Sequence, residues 1–193
     1  MKFILALHTE TDWNESGRLQ GQTDIPLNEF GKQRARELGD KIASGLGALG
    51  IAKIISSDLK RASETAQIIG ERISVPIIFD RRLRECRFGS LEGLAKAELK
   101  ERIPELNGSP TFTTKDTWHG SFHEYDFSKF GGENRDRVFV RHRACLEEIL
   151  RTTRGQAIII VGHGTGLNTL LAGLGVEQVL TRGDYYVFEY PRE

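Results

Sequence analysis

The most regular feature of the chain is a series of short apolar runs that each stop at a polar or glycine-containing cluster. Four of them occupy residues 2–7, 52–56, 76–80 and 156–161. Short runs of this kind, bounded by polar residues or glycine, are typical of buried strands in a parallel sheet. A fifth run, residues 185–190, contains Tyr, Val and Phe and predicts a last strand. The pattern therefore predicts five strands.

Between the runs, apolar residues recur at the spacing of helices. The first such segment carries Ala35, Leu38, Ile42 and Leu46 behind Asn28, which has the chemistry of an N-cap. Further helices are predicted after Asp58, which is expected to be a cap, and over residues 94–102, 135–151 and 165–174. Strands that alternate with helices predict an α/β fold, here a three-layer α/β/α sandwich whose mainly parallel sheet carries helices on both faces.

Two segments show neither the apolar runs of strands nor the apolar spacing of helices. Residues 12–26 are rich in Gly, Asn and Gln and are expected to form a loop. Residues 105–133 mix Gly, Pro, Ser and Thr with aromatic residues, among them Phe112, Trp118, Phe122, Tyr125 and Phe127. So long an irregular stretch is usually a lid or a disordered segment, and its aromatic content favours a lid. Packing of these rings in a satellite core is an equal alternative.

Length and charge limit the classes of protein to consider. The chain has 193 residues, and we expect one domain over residues 1–193 with a lid-like insertion at about residues 104–133. It carries 27 Lys+Arg and 27 Asp+Glu. This balance creates no net field that would attract nucleic acid or an anionic membrane as a partner. Any anion site must therefore be local.

The cysteines and the N-terminal run bear on the compartment. Cys86 and Cys145 lack the spacing of a metal site and are interpreted as reduced thiols. The apolar stretch behind Met1 is too short to span a bilayer, and the sequence after it has no small-residue cleavage site. We therefore expect a cytoplasmic protein.

Chemically useful side chains follow the predicted strands. His8 directly follows the first apolar run, and His163 follows the fourth after Gly162, so both are expected at the carboxyl edge of the sheet, where ligands bind in open α/β folds. Arg61 lies near the start of a predicted helix, and Glu85 is a further candidate for a functional side chain. This set suits a phosphoryl group, since His can attack phosphorus, Arg and helix N–H groups can bind its oxygens, and a protonated Glu can protonate the leaving oxygen. The other histidines, His119, His123 and His142, are interpreted as ordinary surface or loop residues.

Several clusters, taken in order, resemble the histidine phosphatase superfamily, also called the phosphoglycerate-mutase-like family. The matching segments are Leu7-His8-Thr9-Glu10-Thr11, Trp13-Asn14, Gly17-Arg18-Leu19-Gln20-Gly21, Asp24-Ile25-Pro26-Leu27, Ser56-Ser57-Asp58-Leu59-Lys60-Arg61, Leu83-Arg84-Glu85, Gly131-Gly132-Glu133 and Val161-Gly162-His163-Gly164. They run in register over nearly the whole chain, which makes the resemblance highly specific.

The resemblance implies a role for each matching position. His8 would be the nucleophile that becomes phosphohistidine, and Glu85 would be the general acid and then the base for water. Arg61, Asn14 and His163 would hold the phosphoryl oxygens. Further candidate substrate-binding residues are Thr11, Gly164, Arg18, Gln20 and Gly21. No metal or other cofactor is implied, and the expected ligand is a small phosphomonoester or an inorganic oxyanion.

Two positions depart from the family pattern. The Arg expected before the nucleophile is Leu7, and the Gly expected after it is Thr9. Loss of one preorganised donor typically costs about a hundred- to a thousandfold in rate. The candidates to replace part of the missing charge are Arg18, Lys60, Arg84 and Arg87.

Three functions fit these features. The leading hypothesis is a metal-independent phosphatase that hydrolyses phosphomonoesters through a phosphohistidine. The first alternative, favoured by Leu7 and Thr9, is a catalytically degenerate protein of the same fold that acts as a phosphate-ligand-binding or regulatory protein. The second is a phosphoglycerate mutase, although mutases of this family are usually longer. A homodimer is compatible with each of them.

Overall fold

The centre of the molecule is a five-stranded sheet. A computed structural model describes residues 1–104, 125–153 and 156–190. Its strands, in chain order, are β1 (Lys2–Leu7), β2 (Ile51–Ser56), β3 (Ile77–Phe79), β4 (Ala157–Gly162) and β5 (Tyr185–Glu189). Their order across the sheet is β3-β2-β4-β1-β5. The pairs β1–β4, β2–β4 and β2–β3 are parallel, and β5 runs antiparallel to β1.

Helices cover both faces of this sheet. The α-helices of the described residues are α1 (Asp12–Glu15), α2 (Glu29–Leu46), α3 (Lys60–Ile73), α4 (Lys96–Arg102), α5 (Arg135–Thr152) and α6 (Gly164–Gly173). Alternate residues of β1 point to opposite faces, as the strand period requires. Ile4 and Ala6 join α2 and α3 in one apolar cluster, whereas Phe3 and Leu5 join α5 and α6 in another. The predicted α/β fold with a mainly parallel sheet is confirmed.

A third apolar cluster lies beside the sandwich and includes part of the predicted insertion. Phe127 is fully buried in it, and its ring packs edge-on against Phe88 at 4.8 Å between centroids. Tyr125 packs against the same cluster. For these two rings the satellite-core alternative is correct. Phe112, Trp118 and Phe122 lie outside the described residues, so the lid-like insertion and the single domain over 1–193 stay predictions.

Three local predictions are wrong. Residues 12–26 are not all loop, because Thr11 caps the short helix α1 through a reciprocal capping box with Asn14. Asp58 does not cap α3: the N-cap is Leu59, without a side-chain bond, and Asp58 pairs with Arg84 instead. His142 is not a surface residue but is fully buried in α5.

Helix composition also bears on membranes. Among the residues that the structure describes, no helix is long and apolar enough to cross a bilayer.

Candidate active site

The two histidines of the sequence prediction meet at the carboxyl edge of the sheet. β1 and β4 are parallel neighbours with Leu7 opposite Gly162, and the His8 amide donates to the Gly162 carbonyl at 2.9 Å. His8 and His163 therefore leave the two strands side by side. Their ring centroids are 5.2 Å apart.

A small cavity opens at this edge, with a volume of about 50 Å³. Eight of the ten predicted site residues line it: His8, Asn14, Arg18, Gln20, Gly21, Arg61, Glu85 and Gly164. Trp13, Leu19, Phe88, Thr165 and Arg182 complete its wall. The wall thus combines cationic, acidic and imidazole groups with backbone at the start of α6.

The His8 ring is oriented by the backbone. Its Nδ1 lies 2.7 Å from the carbonyl oxygen of Thr9. Because a carbonyl only accepts, Nδ1 carries the proton in the neutral ring, and Nε2 holds the lone pair. This is the tautomer that a nucleophilic Nε2 requires.

His163 supports the site from behind. Its ring is fully buried, with Nε2 2.8 Å from the Ser57 hydroxyl, and its Nδ1 has no hydrogen-bond partner within the described part of the chain. Burial, followed by the charge of Arg61, holds the pKa of His163 well below its ordinary value. His163 is therefore neutral at physiological pH and can donate one N–H.

Glu85 is bound by three backbone amides. Its Oε1 accepts from Cys86 at 2.7 Å and from Gly166 at 2.9 Å, and its Oε2 accepts from Thr165 at 3.1 Å. Burial nevertheless raises the pKa of Glu85, and these amides and Arg61 oppose the rise only in part. The protonated carboxyl is therefore more populated than in an exposed glutamate, as a general acid needs.

Arg61 is a fully buried guanidinium near the start of α3. Nη1 donates to the Thr23 carbonyl at 2.9 Å and Nη2 to the Gly21 carbonyl at 2.6 Å. Its Nε has no partner among the residues described. Burial lowers the pKa of Arg61 to about 10, against the opposing charge of Glu85 and other carboxylates. The side chain therefore stays cationic at neutral pH.

Asn14, which lines the cavity, forms a hydrogen-bonded pair with Thr11. Asn14 Oδ1 accepts from the Thr11 amide at 3.1 Å and from the Thr11 hydroxyl at 3.0 Å. This bonding leaves the Asn14 amide nitrogen as the group that can serve the cavity. Thr11 is buried in the cap and, like His163, is absent from the residues described as lining the cavity.

Comparisons with known proteins identify the family of the chain. Residues 3–180 match the family model of the histidine phosphatase superfamily (branch 1). The chain belongs to the histidine phosphatase superfamily.

Among relatives in this superfamily, a probable phosphoglycerate mutase, GpmB of Salmonella paratyphi A, is 35% identical over 172 residues, which are 89% of this chain and 74% of that protein. A mycobacterial glucosyl-3-phosphoglycerate phosphatase, Rv2419c, complexed with VO3, has 30% identity and a TM-score of 0.73 over 90% of this chain and 81% of its own. Bacillus stearothermophilus YhfR has 28% identity and a TM-score of 0.79 over 98% and 91%.

The two departures from the superfamily pattern have different surroundings. Leu7 is buried in the apolar cluster on the α5 and α6 face and brings no polar group to the cavity. Thr9 is also buried, but its hydroxyl donates to the Gly31 carbonyl at 2.8 Å and its amide donates to the Thr65 hydroxyl at 3.2 Å. Its side chain thus ties the end of β1 to α2 and α3.

Of the four expected replacements for the missing charge, only Arg18 lines the cavity. Arg84 forms a two-pronged pair with Asp58 at 2.7 and 2.6 Å. Lys60 and Arg87 are exposed and lie outside the cavity wall. Neither His119 nor His123 lies in the described residues.

Sequence reasoning missed two arginines. Arg182 lines the cavity from a turn before β5, where no periodic pattern or motif marks it. Arg141 of α5 donates to the carbonyls of Arg84 and Glu85 and pairs with Glu133 at 2.9 Å, so it fixes the segment that carries Glu85. The Gly131-Gly132-Glu133 motif was the available signal for the pair between Arg141 and Glu133.

Proposed function

We propose that this chain is a metal-independent phosphatase that hydrolyses small phosphomonoesters through a phosphohistidine on His8. The observation that carries the proposal is the His8 tautomer. The Thr9 carbonyl, 2.7 Å from Nδ1, assigns the lone pair to Nε2 in a cavity that also holds Glu85 and Arg61. A neutral imidazole nitrogen is a nucleophile for phosphorus, and a protonated carboxyl is a source of the leaving group's proton.

The first step forms the phosphoenzyme. Nε2 of His8 attacks phosphorus, the ester P–O bond breaks, and the departing oxygen takes the proton of Glu85. Arg61 and the backbone of Gly164 at the N-terminus of α6, which both line the cavity, stabilise the negative charge on the phosphoryl oxygens. The alcohol then leaves.

The second step returns the enzyme to its resting state. The Glu85 carboxylate takes a proton from a water molecule as the water oxygen attacks phosphorus. The N–P bond breaks, the electron pair returns to Nε2, and inorganic phosphate is released. Glu85 is protonated again, so every proton is accounted for.

Hydrolysis and mutase chemistry differ only in the acceptor of the second step. The relatives called probable phosphoglycerate mutases favour transfer to a second hydroxyl, and the glucosyl-3-phosphoglycerate phosphatase favours water. Leu7, without charge, supports the alternative of a binding protein that turns over slowly.

The test is a rapid-quench experiment with a 32P-labelled aryl phosphate, in which the reaction is stopped with alkaline detergent. We expect label on the parent protein that is stable to base and labile to acid, as a phosphoramidate is. His8→Ala should carry none and should lose turnover, because its attacking nitrogen is gone. His119→Ala, at a histidine that the sequence interprets as ordinary, serves as the control and should keep the label.

Product analysis separates the three functions. Release of phosphate from 3-phosphoglycerate or an aryl ester, undiminished by EDTA, is expected of the phosphatase. Formation of 2-phosphoglycerate instead would favour the mutase. Oxyanion binding without any label on His8 would contradict both and favour the binding protein.

A further inference from the structure

Three arginine side chains line the cavity, and they differ in how firmly they are held. Arg18 is exposed and donates to the Gly93 carbonyl at 2.8 Å. Arg61 is fully buried, and both of its terminal nitrogens donate to backbone carbonyls. The exposure of Arg182 is intermediate, since its side chain is only 13% exposed. Arg182 is therefore a second cation whose charge is largely shielded from solvent.

The cavity needs such a cation. A phosphoryl group carries about −1.5 to −2 charges at neutral pH, whereas the fully buried wall offers one guanidinium, Arg61, beside the acidic Glu85. The residue before the nucleophile, Leu7, is packed in the apolar core and contributes no charge. An exposed arginine such as Arg18 is screened by water and must lose side-chain freedom on binding.

We propose that Arg182 is the second guanidinium that binds the phosphoryl oxygens in this cavity, in place of the charge that Leu7 does not supply. The proposal rests on the proposed function in that it assigns a ligand group to the same site. It adds a residue from the turn before β5, where none of the matching motifs lies.

The turn that carries Arg182 is fixed to α2. Arg34 Nη2 donates to the Arg182 carbonyl at 3.1 Å, and Lys41 Nζ donates to the Gly183 carbonyl at 3.2 Å. Gly183 has φ +75°, a backbone conformation that favours glycine, so the path of this turn depends on that residue. The backbone of Arg182 is thus set before any ligand binds.

Glu10, two residues after the nucleophile, orients the guanidinium. Its Oε1 lies 3.8 Å from Nε of Arg182 and 3.3 Å from Nη1 of Arg34. Arg34 and Arg182 thus share this carboxylate, which holds both guanidinium groups beside the cavity. Glu10 is only 16% exposed, which strengthens these interactions. We assign Glu10 as a positioning residue for Arg182.

Arg182 also forms part of the boundary between two spaces. It lines a neighbouring groove of about 330 Å³ together with Phe30, Arg34 and the exposed Glu15. A guanidinium shared by both spaces can bind a phosphoryl oxygen while the rest of the ester extends into the groove. Loss of the Arg182 guanidinium should therefore weaken the binding of inorganic oxyanions as well as the binding of esters.

The experiment measures orthovanadate binding by calorimetry at low salt, and kcat and KM for an aryl phosphate. Arg182→Ala should raise the vanadate Kd by about ten- to a hundredfold, since a charge-assisted hydrogen bond is lost. Arg182→Lys should recover part of the affinity, and added guanidinium ions should partly restore the alanine variant. Glu10→Gln should give a smaller loss. Arg36→Ala, an exposed arginine of α2, is the matched control and should change nothing.

Three results would overturn the proposal. The first is a folded Arg182→Ala protein with the parent's vanadate Kd. The second is a loss that neither lysine nor guanidinium relieves, because this indicates a purely structural role. If the alanine variant does not fold, the third is equal vanadate affinity of Arg182→Lys and Arg182→Gln.

The same data separate this proposal from the proposed function. Vanadate binding that depends on Arg182, without phosphohistidine on His8, would support the arginine and contradict the phosphatase. Phosphohistidine that forms equally well in the parent and in Arg182→Ala would do the reverse. A parent protein that binds no vanadate would contradict both.

Discussion

The chemistry of the site depends on which proton each buried side chain holds. The Thr9 carbonyl places the proton of His8 on Nδ1, and burial keeps His163 neutral. Burial also favours the protonated form of Glu85, although three amides bind its carboxylate form. A neutral imidazole and a protonated carboxyl can therefore be present together, which is the combination that the first step of hydrolysis needs.

Glu85→Gln should separate substrates by their leaving groups. We expect kcat to fall by about a hundred- to ten-thousandfold for an alkyl phosphate, whose alkoxide needs a proton, and much less for 4-nitrophenyl phosphate. In the parent, kcat for the alkyl ester should decline as pH rises through the raised pKa of Glu85, because the acid form is lost. That decline should vanish in the variant.

The control for this experiment is Glu147→Gln, at a half-exposed residue of α5 that pairs with Arg143. It should leave the pH profile and both rates unchanged. Equal losses for the alkyl and aryl esters in Glu85→Gln would show that the carboxyl does not act as the acid.

At the scale of elements, the N-terminus of α6 is the part on which the site depends most. His163 is its N-cap residue but makes no side-chain cap bond. Glu85 takes that place from another segment, since it accepts from the amides of Thr165 and Gly166. His142 packs against the same turn and is itself held by the Val138 carbonyl at 2.8 Å. Helix start, acid and buried histidine thus form one unit.

Gly166→Ala should loosen this unit. A Cβ at this position would lie 2.6 Å from Nε2 of His142, whose ring is fixed by its own hydrogen bond. We expect a loss of about 1–3 kcal/mol in the free energy of unfolding, measured by urea titration, and a fall in kcat as Glu85 loses its amide. His142→Ala should relieve the clash and restore part of the loss in the double variant.

Gly47→Ala is the matched control. This glycine ends α2 with φ −55°, and no atom of the described residues lies within 4 Å of the position that an alanine Cβ would take there. Its substitution should be neutral or slightly stabilising. If Gly166→Ala behaved in the same way, the assignment of a rigid contact at α6 would fail.

For the molecule as a whole, residues at the ends of strands could be placed from the sequence. Residues whose position depends on how turns and helices pack against one another could not. His8 and His163 could be placed together because the ends of parallel strands share one edge of the sheet. Arg182 could not, because its place depends on a turn that docks on α2 through Arg34. His142 was misjudged because its burial follows from the packing of α5 against α6, which the helical period does not specify.

The buried histidines should also govern the stability of the whole protein in acid. Burial lowers the pKa of His142 to about 3, and the pKa of His163 is well below its ordinary value. In the unfolded chain both would titrate near about 6.5. Below that pH the unfolded state binds protons that the native state excludes. Each histidine should therefore lower the free energy of unfolding by about 1.4 kcal/mol per pH unit, until its own native pKa is reached.

Glu85 acts in the opposite direction, because its raised pKa lets the native state take up a proton earlier than the unfolded chain as pH falls. The net slope between about pH 6.5 and pH 5 should still show falling stability, since two histidines oppose one carboxyl. Urea titrations across this range measure it, and His142→Gln should make the slope shallower by nearly one proton. A ring signal of His142 that titrated near its ordinary pKa in the NMR spectrum of the native protein would contradict the assignment, because a buried imidazole has to stay neutral there.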